Sequence, residues 1–137
     1  MNGYLLDTNV LSELLKKRPD RLVTRKLEAI PQAGLATSVV CVMELRFGAA
    51  LTPRGELLWT RISREVLHNL LVLPIGRREG LLAGDLLADL QRRGMRIGTE
   101  DVLIAATALV HGLTVSSPNT DHFSRIRGLS VENWWKA

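Results

Sequence analysis

The sequence predicts a three-layer α/β/α domain with a central parallel sheet, on three observations. Short apolar runs alternate with longer amphipathic segments from one end of the chain to the other. The breaks between them carry the Gly, Pro, Asn and Asp of turns, and strands separated by helices imply parallel pairing covered on both faces. No repeat, low-complexity tract or linker divides the 137 residues, so a single domain over 1–137 is expected.

From the amino terminus, "GYLLD" (residues 3–7) reads as a short buried strand, and "TNVLSELLKK" (8–17) places Val10, Leu11, Leu14 and Leu15 on one helical face. "PDRLVTRKLEAI" (19–30) gives a second helix through Leu22, Val23, Leu27 and Ile30. "GLATS" (34–38) is a strand ending in Ser38, an N-cap residue for the helix "VVCVMELRFGAA" (39–50). "PRGELLWTRISREVLHNL" (53–70) is amphipathic, "LVLPI" (71–75) reads as a buried strand, and "REGLLAGDLLADLQRRG" (78–94) is a helix closed by Gly94. "TEDVLIAATALVHG" (99–112) is an apolar helix ending at Gly112, "LTVSS" (113–117) a strand, and "LSVENWW" (129–135) the last strand. Of Trp134 and Trp135, one is expected to cover the core or the sheet edge.

Composition excludes several classes. Hydrophobic residues at 46% and charged residues at 23% make a globular balance, and no apolar run approaches the roughly 20 residues of a membrane span. Residues 1–15 lack the features of a secretory signal and the one cysteine cannot form an internal disulfide, so a cytoplasmic, non-membrane protein is expected. The net charge of +4 suits a polyanionic partner. Basic clusters at Lys16, Lys17, Arg18 and Arg21, and at Arg92, Arg93 and Arg96, are either RNA contacts or solvated helix ends. Aromatic residues, at 4%, are too few for a stacking platform. His68, His111 and His122 fall singly in different elements without zinc-ligand spacing or a nucleophile partner, and Cys41 reads as a small core residue.

The acids carry the chemistry. Asp7 ends the first strand, at the carboxyl edge where open α/β sheets bind ligands. Glu44 has Val40, Cys41, Phe47 and Gly48 as its helical neighbours, and Asp101 heads a stripe of Ile104, Ala105, Ala108 and Leu109, so both are expected to face inward. Asn119 and Asp121, in "SSPNTDHF", come after the strand at 113–117 and fall on the same edge. Each has a plainer explanation: Asp7 as an N-cap, Asp101 at a helix amino terminus, Glu44 paired with an arginine, Asn119 and Asp121 as turn residues. Together, however, converging carboxylates repel unless compensated, and a hard cation such as Mg²⁺ or Mn²⁺ takes such oxygen ligands alongside waters and phosphate oxygens.

"YLLDTNVLSEL", "TSVVCVMELRFG", "EDVLIAATAL" and "PNTDHF" resemble, in order and over nearly the whole chain, the four acidic motifs of PIN-domain ribonucleases, and more narrowly those of the VapC toxins of bacterial VapBC toxin–antitoxin modules. The resemblance implies a PIN-like domain and a Mg²⁺- or Mn²⁺-dependent endoribonuclease. It assigns the metal to Asp7 and Asp101, with Glu44 completing the site, and implies an RNA substrate, a VapB-like antitoxin and a homodimer. At the fourth position, where many PIN domains have aspartate, the best match is Asn119, with Asp121 two residues on. Thr8 and Ser38 stand at motif edges as hydroxyls that orient ligands or simply start helices. Two rivals are weighed: a haloacid-dehalogenase-type phosphatase, which wants an aspartate where Asn9 stands, and a non-catalytic PIN scaffold binding RNA or protein.

Overall fold

The structure is a computed structural model that describes residues 3–137. Five strands, β1 (Tyr4–Leu6), β2 (Leu35–Ser38), β3 (Leu71–Leu73), β4 (Thr114–Ser116) and β5 (Val131–Glu132), form one all-parallel sheet in the order β3-β2-β1-β4-β5. Seven helices flank it: α1 (Thr8–Leu14), α2 (Arg21–Glu28), α3 (Val39–Ala50), α4 (Gly55–Glu65), α5 (Arg77–Arg92), α6 (Thr99–His111) and α7 (Thr120–Phe123). Leu5 and Leu6 point to opposite faces of the central strand and both are fully buried, so the sheet is covered on both sides as a parallel sheet must be. This is the expected α/β/α fold. Among the described residues no helix is long and apolar enough to cross a membrane.

The strand order creates an opening at the centre of the sheet. β1 pairs with β2 on one side and with β4 on the other, Leu6 lying opposite Ser116. Successive connections therefore leave β1 in opposite directions, which opens a crevice at its carboxyl end. Asp7 and Ser117 are the first residues beyond the paired ends of β1 and β4, and the Asp7 N–H donates to the Ser116 carbonyl at 3.1 Å.

Local chemistry explains the boundaries. The Asp7, Asp20 and Ser38 side chains each cap a helix, accepting from Val10, from Leu22 and Val23, and from Val40 respectively. Gly112 ends α6 at φ 66°, a left-handed conformation that glycine adopts without a Cβ penalty. Gly55 starts α4 where an added Cβ would collide with the Ala49 carbonyl at the end of α3, so the close α3–α4 turn requires glycine. Trp134 is buried; its ring meets Tyr4 edge to face at 5.3 Å and its Nε1–H donates to Glu132 at 3.2 Å, while Trp135 is half-buried.

Three expectations are corrected. Residues 71–75 are not a buried strand: β3 pairs only with β2, at the sheet edge, and Leu71 is 65% exposed. A short apolar run carries no mark that separates a central strand from an edge strand. Pairing in the last strand is limited to Val131–Glu132, after which the chain turns inward to seat Trp134. The amphipathic stretch at 53–70 breaks after Glu65 and finishes in a 3-10 turn at Leu67–Asn69.

The Ser116 hydroxyl is buried without a hydrogen-bond partner among the described residues. An unsatisfied buried polar group costs free energy that an apolar replacement recovers. Ser116→Ala is therefore expected to raise unfolding free energy by about 1 kcal/mol, read from the urea midpoint at unchanged slope. A drop of that size would mean the hydroxyl has a partner.

Candidate active site

Asp7 is 5% exposed, yet it is an acid at the mouth of the crevice. Burial pushes its carboxyl up from the ordinary 3.8 to about 6. The Ser117 hydroxyl and the N–H groups of Val10 and Asn9 pull the other way, and the Asp101 charge adds to the upward push. The Val10 N–H donates to Asp7 Oδ1 at 3.1 Å, so the N-cap reading is correct. It is also incomplete, because a cap alone does not set a second carboxylate's field against the first.

Asp101 lies in the first turn of α6, where the helix dipole favours an anion. Ile104, Ala105 and Ala108 are buried as expected, but Asp101 itself is only half-buried, at the rim of the crevice. Glu44 is likewise half-buried on α3; Val40 and Cys41 beneath it are buried, while Phe47 on its other side is 65% exposed. Its helix face is thus a boundary and not an interior one. Among the described residues Glu44 forms no ion pair; it accepts a hydrogen bond from the Thr8 hydroxyl at 2.6 Å, which ties the start of α1 to α3. Arg46, the nearest candidate in sequence, reaches Glu56 instead, at 3.5 Å. Ser38 serves as the α3 cap.

The fourth segment brings two residues to Asp101. Asn119 is the N-cap of α7, yet its side chain caps nothing there; its Nδ2 lies 3.5 Å from Asp101 Oδ2 and 3.0 Å from His122 Nδ1. His122 Nδ1 lies 3.1 Å from the same Asp101 oxygen. The Asn119 N–H donates to Ser117 Oγ at 2.9 Å, linking this loop to the Asp7 side of the crevice. Asp121 is exposed. His122 does not stand alone, contrary to expectation: the one-turn spacing from Asn119 to His122 is the available signal, hidden because "SSPNTDHF" reads as a turn and not as a helix. Cys41 is buried and its thiol is pushed up to about 11 by desolvation, so it is a core residue as expected.

Among the described residues, no three His, Cys, Asp or Glu side chains are gathered closely enough to cage a metal ion. The expected direct sharing of one ion by Asp7, Asp101 and Glu44 is therefore not displayed as a preformed cage. What is displayed is a buried carboxylate, Asp7, bonded to the Ser117 hydroxyl and within the field of Asp101, with Thr8 and Glu44 paired at the start of α1 and His122 and Asn119 beside Asp101. The carboxylates of Asp7 and Asp101 fit Mg²⁺ or Mn²⁺, which use one or two carboxylates and keep their waters, better than they fit a soft metal.

Comparison with known proteins places the chain in a family. The PIN domain family model matches residues 4–129. The chain is 39% identical to the VapC ribonuclease Y4jK of Sinorhizobium fredii, over 96% of this chain and 97% of that protein. Among solved structures it is similar to the FitAcB complex of Neisseria gonorrhoeae (TM-score 0.89, 30% identity, 98% of this chain and 99% of that one). It is also similar to VapBC2 of Rickettsia felis bound to a DNA fragment from its promoter (TM-score 0.87, 28% identity, 96% and 98%). The chain belongs to the PIN-domain family, among its VapC-type ribonucleases.

Proposed function

We propose that this protein is the toxin of a toxin–antitoxin module, an endoribonuclease that hydrolyses RNA phosphodiester bonds with Mg²⁺ or Mn²⁺ held by Asp7 and Asp101. The observation that carries the reading is the buried Asp7 carboxylate at the carboxyl end of β1, raised to about 6 by burial and, to a lesser degree, by the charge of Asp101, a cost that a cation relieves. When bound, the ion supplies charge neutralisation on the scissile phosphate and a more acidic water. The chain's own residues do the rest. Asp7 is fixed by the Val10 N–H and the Ser117 hydroxyl and cannot swing away. Glu44, steadied by Thr8, faces the rim where it orders solvent beside the phosphate. Asn119, whose amide lies against Asp101, stands in the fourth position in preference to the exposed Asp121.

The partners are argued from the same chemistry and from the relatives. A cluster of carboxylates is a receptor for an arginine, whose planar fork binds two oxygens and competes with the cation. A VapB-like antitoxin carrying such a residue, with an apolar segment over the exposed helices, and a homodimer of this chain complete the proposal. Exposed Met43, Phe47, Leu51 and Leu57 on and around α3 and α4 supply apolar surface for such contacts.

The expected result is cleavage of RNA that EDTA abolishes and added Mg²⁺ or Mn²⁺ restores, giving 5′-phosphate and 3′-hydroxyl ends. Ends with 2′,3′-cyclic phosphate would report attack by the RNA's own 2′-hydroxyl and overturn the mechanism; binding of RNA without cleavage would favour a scaffold.

A further inference from the structure

The contact between His122 and Asp101 is not explained by folding needs. Both side chains are partly exposed, 42% and 26%, so water would satisfy either one, and neither anchors α7. That short helix is fixed by Phe123, which is fully buried, and by Ile126 just beyond it. His122 nevertheless projects back over the crevice, with Nδ1 3.1 Å from Asp101 Oδ2.

Proton bookkeeping gives the contact a direction. An ionised Asp101 oxygen offers only lone pairs, so an unprotonated Nδ1 aimed at it would be repelled; the ring proton belongs on Nδ1, which donates to Oδ2. Asn119 Nδ2, 3.0 Å from that nitrogen, then finds no acceptor on the ring, and its N–H is left with the same Asp101 oxygen, at a long 3.5 Å. Two donors from one turn of chain, His122 the closer, thus converge on Oδ2, and among the described residues none reaches Oδ1. The carboxylate is held in one rotation, with Oδ2 occupied by these donors and Oδ1 left free of them.

We propose that His122 is a positioning residue: through its Nδ1–H···Oδ2 bond it fixes the orientation of Asp101 and selects Oδ1 as the oxygen offered to the divalent cation, with Asn119 as auxiliary donor. This role rests on the proposed metal site at Asp7 and Asp101, and it names the side chain that sets the affinity there. Hydrogen-bonded partners of metal ligands commonly change affinity by about 10- to 100-fold when removed.

The test measures Mn²⁺ binding to the full chain without RNA, by electron paramagnetic resonance of free Mn²⁺ and by calorimetry, with circular dichroism as the fold check. His122→Ala is expected to weaken Mn²⁺ binding about 10- to 100-fold. His122→Asn, whose amide nitrogen falls where Nδ1 was, is expected to recover affinity to within about threefold, whereas His122→Gln, whose amide reaches the Nε2 position, is not. Equal Mn²⁺ affinity in wild type and His122→Ala overturns the proposal and leaves the metal reading standing. Equal recovery by Asn and Gln also overturns it, since the role would then be space filling. If wild type binds no Mn²⁺ while folded, both readings fall together. Should His122→Ala lose its fold, the Asn and Gln pair decides alone.

Discussion

Replacing Asp7 by asparagine is expected to remove most RNA cleavage while making the metal-free protein more stable at neutral pH. On the proposed metal site, loss of this carboxylate forfeits several kcal/mol of transition-state stabilisation, a rate loss of about 10²- to 10⁴-fold. The fold does not suffer, because asparagine caps a helix as well as aspartate and still accepts from the Val10 N–H. The stability gain has a definite pH course. Asp7 is raised from 3.8 to about 6, so between those values the folded protein keeps a proton that the unfolded chain releases, and stability falls as pH rises through this window. Asparagine has no such loss. Unfolding in EDTA should show wild type and variant alike near pH 4 and diverging toward pH 7, where the variant leads by about 2–3 kcal/mol. A variant no more stable at pH 7 than at pH 4, relative to wild type, would remove burial as the cause of the shift.

A large loss of stability is expected at Phe123. It is fully buried on α7, a helix of a single turn with little internal stability of its own. Phe123→Ala should cost about 3–5 kcal/mol, measured by urea unfolding. Because the same turn carries Asn119 and His122, folded Phe123→Ala should also bind Mn²⁺ less tightly, whereas a core substitution remote from α7, such as Ile62→Val, should cost about 0.5–1.5 kcal/mol and leave Mn²⁺ affinity unchanged.

These residues also show what a sequence discloses and what it conceals. The periodic helices and the apolar strands are legible because burial on one face leaves a repeating mark, and Gly94 and Gly112 announce their helix ends. Asp7, Glu44 and Asp101 can be singled out because each interrupts an apolar pattern. The exposure of β3 is not legible, since edge or centre is decided by strands elsewhere in the chain. Nor is the partnership of His122 with Asp101, which spans 21 positions and exists only once Phe123 has seated its turn. The rim positions of Glu44 and Asp101 depend on which neighbours remain uncovered, and a helical wheel does not contain that information.

The central place of β1 has a temporal consequence. Its partner β4 is made roughly 110 residues later, and the crevice needs both. At a synthesis rate of about 5–20 residues per second, the chain therefore spends roughly 5 to 20 seconds on the ribosome with Asp7 already made and its opposing wall still to come. Pairing over such a span is also slow to nucleate, because the loop must close before the contact repays it. Until β4 has emerged, the nascent chain lacks one wall of the crevice. Any molecule that must restrain the finished enzyme has that interval in which to be present first.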